Sequence, residues 1–175
     1  MIQIVLWEIP HIQLSVHEQV NLYQSITKGL TIPIAFRSWD LYTYPDIPHN
    51  TGHHIWNVKT TSQIEKSRYI IFALQTNKKN SLTTDSLKFD HCNITDVKVH
   101  LNSEYYPNEN LDLNFERNRF ASLFMMYQTK NGPVDVKIEF KTNKQIPSNT
   151  TAYCLMIHDR LIEYNPLGSS INKII

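Results

Sequence analysis

Asp90-His91-Cys92 brings together the three residue types of a thiol-protease triad, and it is the most chemistry-like stretch in the chain. A triad needs thiol, imidazole and orienting carboxylate within mutual hydrogen-bond reach. Consecutive residues of a strand point to opposite faces, so His91 and Cys92 are expected to point apart. Cys92 then reads as a small buried hydrophobe and not as a nucleophile. Glu104 beside Tyr105-Tyr106, and Asp159-Arg160, read as turn or ion-pair residues and not as an acid/base pair. There is no phosphate loop, no GxGxxG and no GxSxG. The chain is therefore expected not to be an enzyme, with no catalytic and no cofactor-binding residue.

Eight histidines raise the question of a metal. His53 and His54 are adjacent, so a strand sends them to opposite faces. His17-Glu18 lacks the second histidine four residues on that a zinc-protease helix requires. His11, His49, His91, His100 and His158 are scattered, with no Cys or carboxylate cluster to complete a ligand set, and no metal site is expected. Trp7, Trp39 and Trp56, with nine tyrosines, could build a stacking platform for sugars or bases. Their place inside apolar strands favours core packing instead.

The elements that must hold these residues are mostly strands. Residues 2–9 are apolar on both faces and suit a buried strand. Ser15-Val-His-Glu18 has the form of a capping box, and Val16, Val20, Tyr23 and Thr27 follow at helical spacing. Lys28 suits the negative end of the helix dipole, and Gly29 can take the left-handed position beyond it, so a helix is expected over 16–28. Strands are expected at 33–43, 54–61 and 68–76, the last apolar on both faces and suited to the middle of a sheet. Val97, Val99 and Leu101 alternate with Lys98, His100 and Asn102, but Cys92 and Ile94 share the opposite parity. One face can bury both sets only if an extra residue intervenes, which predicts a bulge or strand start near Thr95-Asp96. Asn114 is placed to cap a helix over 115–127. Val134, Val136, Ile138 and Phe140 alternate with Asp135, Lys137 and Glu139 in a one-sided strand. Residues 151–157 and 161–165 are expected to form a last hairpin around His158-Asp159-Arg160. About eight short, closely spaced strands with two helices favour an antiparallel β-sandwich over a parallel α/β sheet.

The 175 residues fit one domain, 1–175, with enough chain to bury roughly 70% of its unfolded surface. At 41% hydrophobic and 19% charged, the composition is that of a folded chain and not a disordered one. A net charge of +1 with Lys78-Lys79 as the only basic doublet argues against a nucleic-acid or membrane surface. With only four glycines, turns must rely on Asn, Asp and Pro. Cys92 and Cys154 form no CxxC and read as buried free thiols, in keeping with a reducing compartment. No apolar run approaches the about 20 residues that span a bilayer, and no signal-peptide pattern is seen. The expectation is a soluble, intracellular protein. Asn93-Ile-Thr95 and Asn149-Thr-Thr151 match the glycosylation sequon by chance on this reading.

Several phrases, spread in order over nearly the whole chain, resemble one family. They include Trp7-Glu-Ile-Pro-His11, Pro33-Ile-Ala-Phe-Arg-Ser-Trp39, Tyr69-Ile-Ile-Phe-Ala-Leu-Gln-Thr76, Phe89-Asp-His-Cys-Asn-Ile-Thr95, Leu101-Asn-Ser-Glu-Tyr-Tyr-Pro107, Pro133-Val-Asp-Val-Lys-Ile-Glu-Phe140 and Ile157-His-Asp-Arg160. The chain is similar to the double jelly-roll-like proteins, relatives of the double jelly-roll major capsid proteins of DNA viruses and virus-like transposons. The resemblance implies eight-stranded antiparallel jelly rolls, of which this chain matches only the second, C-terminal one. In the family, three double copies make a pseudo-hexagonal capsomer. The joint Gln128–Pro133 is shorter than the family's pattern. A sandwich lacking one or two strands between 128 and 133 would leave unpaired edges, a route to association.

The resemblance brings no catalytic residues. It implies a structural or assembly protein, virus- or transposon-derived, whose partners are protein subunits: copies of itself or a first jelly roll, with a virion location by analogy. The alternative is a stand-alone β-sandwich binding module for carbohydrate or protein, using exposed Tyr or Trp.

Overall fold

In the computed structural model, residues 10–59, 67–78, 83–125 and 135–174 are described. Their elements run α1 (Val16–Thr27), β1 (Ile32–Tyr44), β2 (His53–Lys59), β3 (Ser67–Thr76), β4 (Ile94–Leu101), β5 (Glu104–Tyr106), two 3₁₀ turns (Phe115–Arg117 and Ala121–Met125), β6 (Val136–Thr142), β7 (Thr150–Asn165) and β8 (Ser170–Lys173). They form two compact units, one drawn from residues up to Ile34 with Leu161–Ile174, the other from Ala35–Arg160.

The larger unit is a sandwich of two antiparallel sheets, ordered β1-β7-β3 and β2-β6-β4-β5, the jelly-roll type of architecture. Apart from the β4–β5 and β7–β8 hairpins, sheet neighbours are distant in sequence, so most of the fold is made of long-range pairings. The alternation of β6 becomes burial directly. Val136, Ile138 and Phe140 are buried, whereas Lys137, Glu139 and Lys141 face out. Val97, Val99 and Leu101 of β4 lie opposite Phe140, Ile138 and Val136. From the other sheet, Leu74, Ala152, Cys154 and Met156 close the core, and the Phe72 and Phe140 rings meet at 5.2 Å. Burying each large apolar side chain there contributes about 1.5–3 kcal/mol.

The predicted bulge is present. The β4–β6 register shifts between Ile94 and Asp96, which lets Ile94 and Val97 both be buried. The shortage of glycine is met as expected at Asn77, Asn93, Asn102, Asn118 and Asn149, all of which take left-handed backbone angles.

In the smaller unit, α1 starts on the predicted capping box. Ser15 Oγ accepts from the Glu18 amide at 3.3 Å, and the Glu18 carboxylate accepts from the Ser15 amide at 3.2 Å. Gly29, at φ +74°, ends it, with the Leu30 amide returning to the Ser25 carbonyl at 3.1 Å. No residue of α1 is buried. The end of β7 pairs with β8 across a turn in which Asn165 Oδ1 accepts from the Leu167 and Gly168 amides.

Three expectations are corrected. The helix over 115–127 is two separate 3₁₀ turns. Asn114 does cap the first, but left-handed Asn118 ends it after one turn and Arg119 bridges back to Asn114. The last hairpin is not at His158-Asp159-Arg160, because β7 runs straight through these residues. Their side chains are spent on neighbouring strands instead: His158 on Asp40, Asp159 on Arg37 and Arg68, and Arg160 on Ser38. The strand at 68–76, read as central, ends the β1-β7-β3 path among the described residues. The short strand β5 was not anticipated, although the Asn102-Ser103 turn before it is a hairpin signal. The strand over 2–9, the end of the 54–61 strand at 60–61, Tyr127, Val134 and the joint at 128–133 lie outside the described residues.

Candidate functional site

The Asp90-His91-Cys92 corner sits where the chain enters β4. His91 and Cys92 do point apart, but through left-handed Cys92 and Asn93 and not through strand alternation. His91 stacks on Phe115 at 4.5 Å, and its Nδ1 accepts from the Asn93 amide at 3.0 Å. The buried Cys92 thiol meets the Thr76 hydroxyl at 3.8 Å, and burial pushes its pKa up. Burial alone would raise the Asp90 carboxyl as well. Lys78 at 2.8 Å and the Thr76 amide at 2.8 Å outweigh it and hold Asp90 below the usual aspartate value. The three groups thus serve three different contacts. Beside them lies a cavity of about 330 Å³, lined mainly by Ile70, Phe72, Ile94, Val97, Val99, Leu113 and Phe115.

His53 and His54 point to opposite faces, as strand alternation requires. His54 is buried and stacked on Phe140 at 4.8 Å, and burial lowers its pKa. His53 faces out. There, on the outer face of β2-β6-β4, a cluster not anticipated from sequence forms: Glu139 accepts from His53 at 2.8 Å and from His100 at 3.1 Å. Partial burial raises the Glu139 carboxyl, but the two imidazoles outweigh it and hold it below its ordinary value. Cross-strand registers Ile55–Glu139 and Lys98–Glu139 would have placed these side chains on one face, had the pairing been known. Among the described residues no group of three His, Cys, Asp or Glu is arranged to hold a metal ion. Cys92 and Cys154 are both free and buried, and Cys154 is pushed up to about 12 by burial. Glu104 accepts from the Tyr106 hydroxyl at 2.6 Å.

The outer face of β1-β7-β3 is of another kind. The Arg37–Asp159 contact at 3.6 Å sets β1 beside β7 on this side, with Arg37 and Arg68 over the Tyr69 ring. Beyond that charged corner the alternating outward positions are Trp39 and Leu41 on β1, Tyr153, Leu155 and Ile157 on β7, and Ile71 and Ala73 on β3. Trp39 is 70% exposed, Leu41 59% and Ile71 49%. The core reading of the tryptophans holds for Trp56, packed against Tyr44, and fails for Trp39; Trp7 lies outside the described residues. One face of an antiparallel sheet is normally polar. Here both are apolar.

The model of the double jelly roll-like domain family matches residues 1–131 and 128–162. The chain belongs to the double jelly roll-like domain family. The two matched stretches meet at 128–131, the joint already marked as short. No curated protein and no solved structure matches the chain. Among the described residues no helix is long and apolar enough to cross a membrane.

Proposed function

We propose that this double jelly roll-like chain is a structural, assembly subunit of capsid type, derived from a virus or transposon, and not an enzyme. Its working parts are surfaces that pack against other protein subunits, copies of itself or a first jelly roll, with the trimeric capsomer of the family as the analogy. The observation that carries this is the apolar outer face of β1-β7-β3, with Trp39, Leu41 and Ile71 exposed on a sheet whose other face already fills the core. A contiguous apolar patch of this kind is an interaction site more often than a bare surface. Size-exclusion chromatography with light scattering tests it. Association at micromolar concentration is expected, and a monomer that persists at high concentration would overturn the reading.

One observation favours a second reading. Trp39 is 70% exposed on a sheet face, which is what a carbohydrate platform needs. Calorimetric titration of oligosaccharides into the protein and into Trp39→Ala tests it; equal heats for the two would remove it.

A further inference from the structure

We propose that β3 is an isologous docking edge, through which two copies of this chain join their β1-β7-β3 sheets by antiparallel β3–β3 pairing about Ile71. This adds an edge contact with a second copy to the outer-face contact proposed above, and it rests on that assembly reading.

Among the described residues the edge is open along a defined strip. The Asp90 amide donates to the Leu74 carbonyl at 2.8 Å on the side of β3 away from β7. Amides of an antiparallel strand alternate between its two sides, so those of Ile70 and Phe72 face outward as Leu74 does. Among the described residues nothing bonds them. The strip ends at Asp90 on one side and, on the other, at the register shift between Ser67 and Tyr69. Its midpoint is Ile71.

Among the described residues the other edges carry the usual protection against strand addition, whereas this one has none between its register shift at Ser67/Tyr69 and Gln75. β1 has Pro33, Arg37 and Asp40, β2 has a register shift at Asn57/Lys59, and β5 is three residues long. Tyr69–Gln75 has no charge, no proline and no bulge.

A second copy fits this strip because the strip is symmetric about its centre. Pairing about Ile71 lets the Ile70 backbone exchange hydrogen bonds with Phe72 of the second copy, and the reverse, as a two-fold axis demands. On the outer face Tyr69 then stands beside Ala73 of the second copy, large against small, and Ile71 meets Ile71. On the inner face the added strand extends over the mouth of the cavity that Ile70 and Phe72 line.

Light scattering on the full chain, on Ile71→Lys and on Ile71→Cys tests the proposal. Wild type is expected to dimerise. Ile71→Lys puts two like charges directly opposite each other and is expected to weaken dimerisation at least tenfold. Ile71 is half exposed, so the lysine can stay in water in the monomer. Ile71→Cys is expected to give a covalent dimer on mild oxidation, since Cys92 and Cys154 are buried. An associated wild type with no cross-link through Ile71→Cys overturns the edge pairing and leaves the assembly reading standing. A monomeric wild type overturns both. Should Ile71→Lys fail to fold, the cysteine cross-link decides alone.

Discussion

On β6, Lys137, Glu139 and Lys141 face outward; on β7, its counterpart at the centre of the other sheet, the outward residues include Tyr153, Leu155 and Ile157. Both strands bury an inner row, Val136, Ile138 and Phe140 on β6 and Ala152, Cys154 and Met156, flanked by Thr150 and His158, on β7. The β2-β6-β4-β5 sheet meets solvent with the His53–Glu139–His100 cluster and with Lys98 over the Tyr105 ring. The β1-β7-β3 sheet presents Trp39, Leu41 and Ile71, with one charged corner at Arg37, Arg68 and Asp159. Inner rows are dictated by the need for a core, so they teach little about role. The outer rows are free to differ, and their difference separates a charged, hydrogen-bonded face from an exposed apolar one.

The comparison can be broken at four depths. Phe140, fully buried and touching both His54 and Phe72, belongs to both sheets at once. Phe140→Ala is expected to cost about 3–5 kcal/mol in urea unfolding, and a loss under ~1 kcal/mol would mean the sheets do not share that core. A smaller effect, on association alone, is expected from Trp39→Lys: dissociation at least tenfold easier by sedimentation velocity, about 1.4 kcal/mol. Lys137→Ala on the opposite sheet should leave association unchanged, and equal effects from the two would erase the contrast between faces.

The third test is pH. The Glu139 carboxyl is held below its unfolded value of about 4.3, so its stabilising contribution is present above that pH and is lost as pH falls through the lowered folded value. Glu139→Gln should flatten part of the acid limb of a stability–pH curve, by about 0.5–1 kcal/mol. An unchanged acid limb would mean the imidazoles do not hold the carboxylate. Least of all should happen at the thiols. With both buried and their pKa values raised, Cys92 and Cys154 should resist iodoacetamide at neutral pH until denaturant is added. Rapid alkylation of Cys92 in the folded protein would restore a nucleophile beside His91.

Local signals in the sequence hold where the chain's own neighbours decide the outcome. The Ser15–Glu18 box, Gly29, the Asn114 cap and the alternation of β6 depend on side chains within a few residues of each other. The parity shift before Val97 predicted the bulge because only one face of a strand can enter a core. Such signals mislead where a distant strand intervenes. His158-Asp159-Arg160 look like a turn until Asp40, Arg37, Arg68 and Ser38 arrive to pair with them. The run 115–127 keeps a helical pattern of aromatics, yet Phe115 stacks on His91 and on Phe120, and the chain breaks at Asn118 to allow it.

The sequence by itself determined the class of fold, the inward rows of the strands and the separation of His53 from His54, because a period of two fixes facing without knowledge of any partner. It also carried the wording of the double jelly roll-like family. Only the tertiary structure decided which outward residues become neighbours. Glu139 meets two imidazoles, Trp39 shares a face with Leu41 and Ile71, and Asp90-His91-Cys92 disperses into three contacts. Each of these rests on cross-strand register or on backbone turns set by packing, and long-range pairing leaves no trace in local spacing.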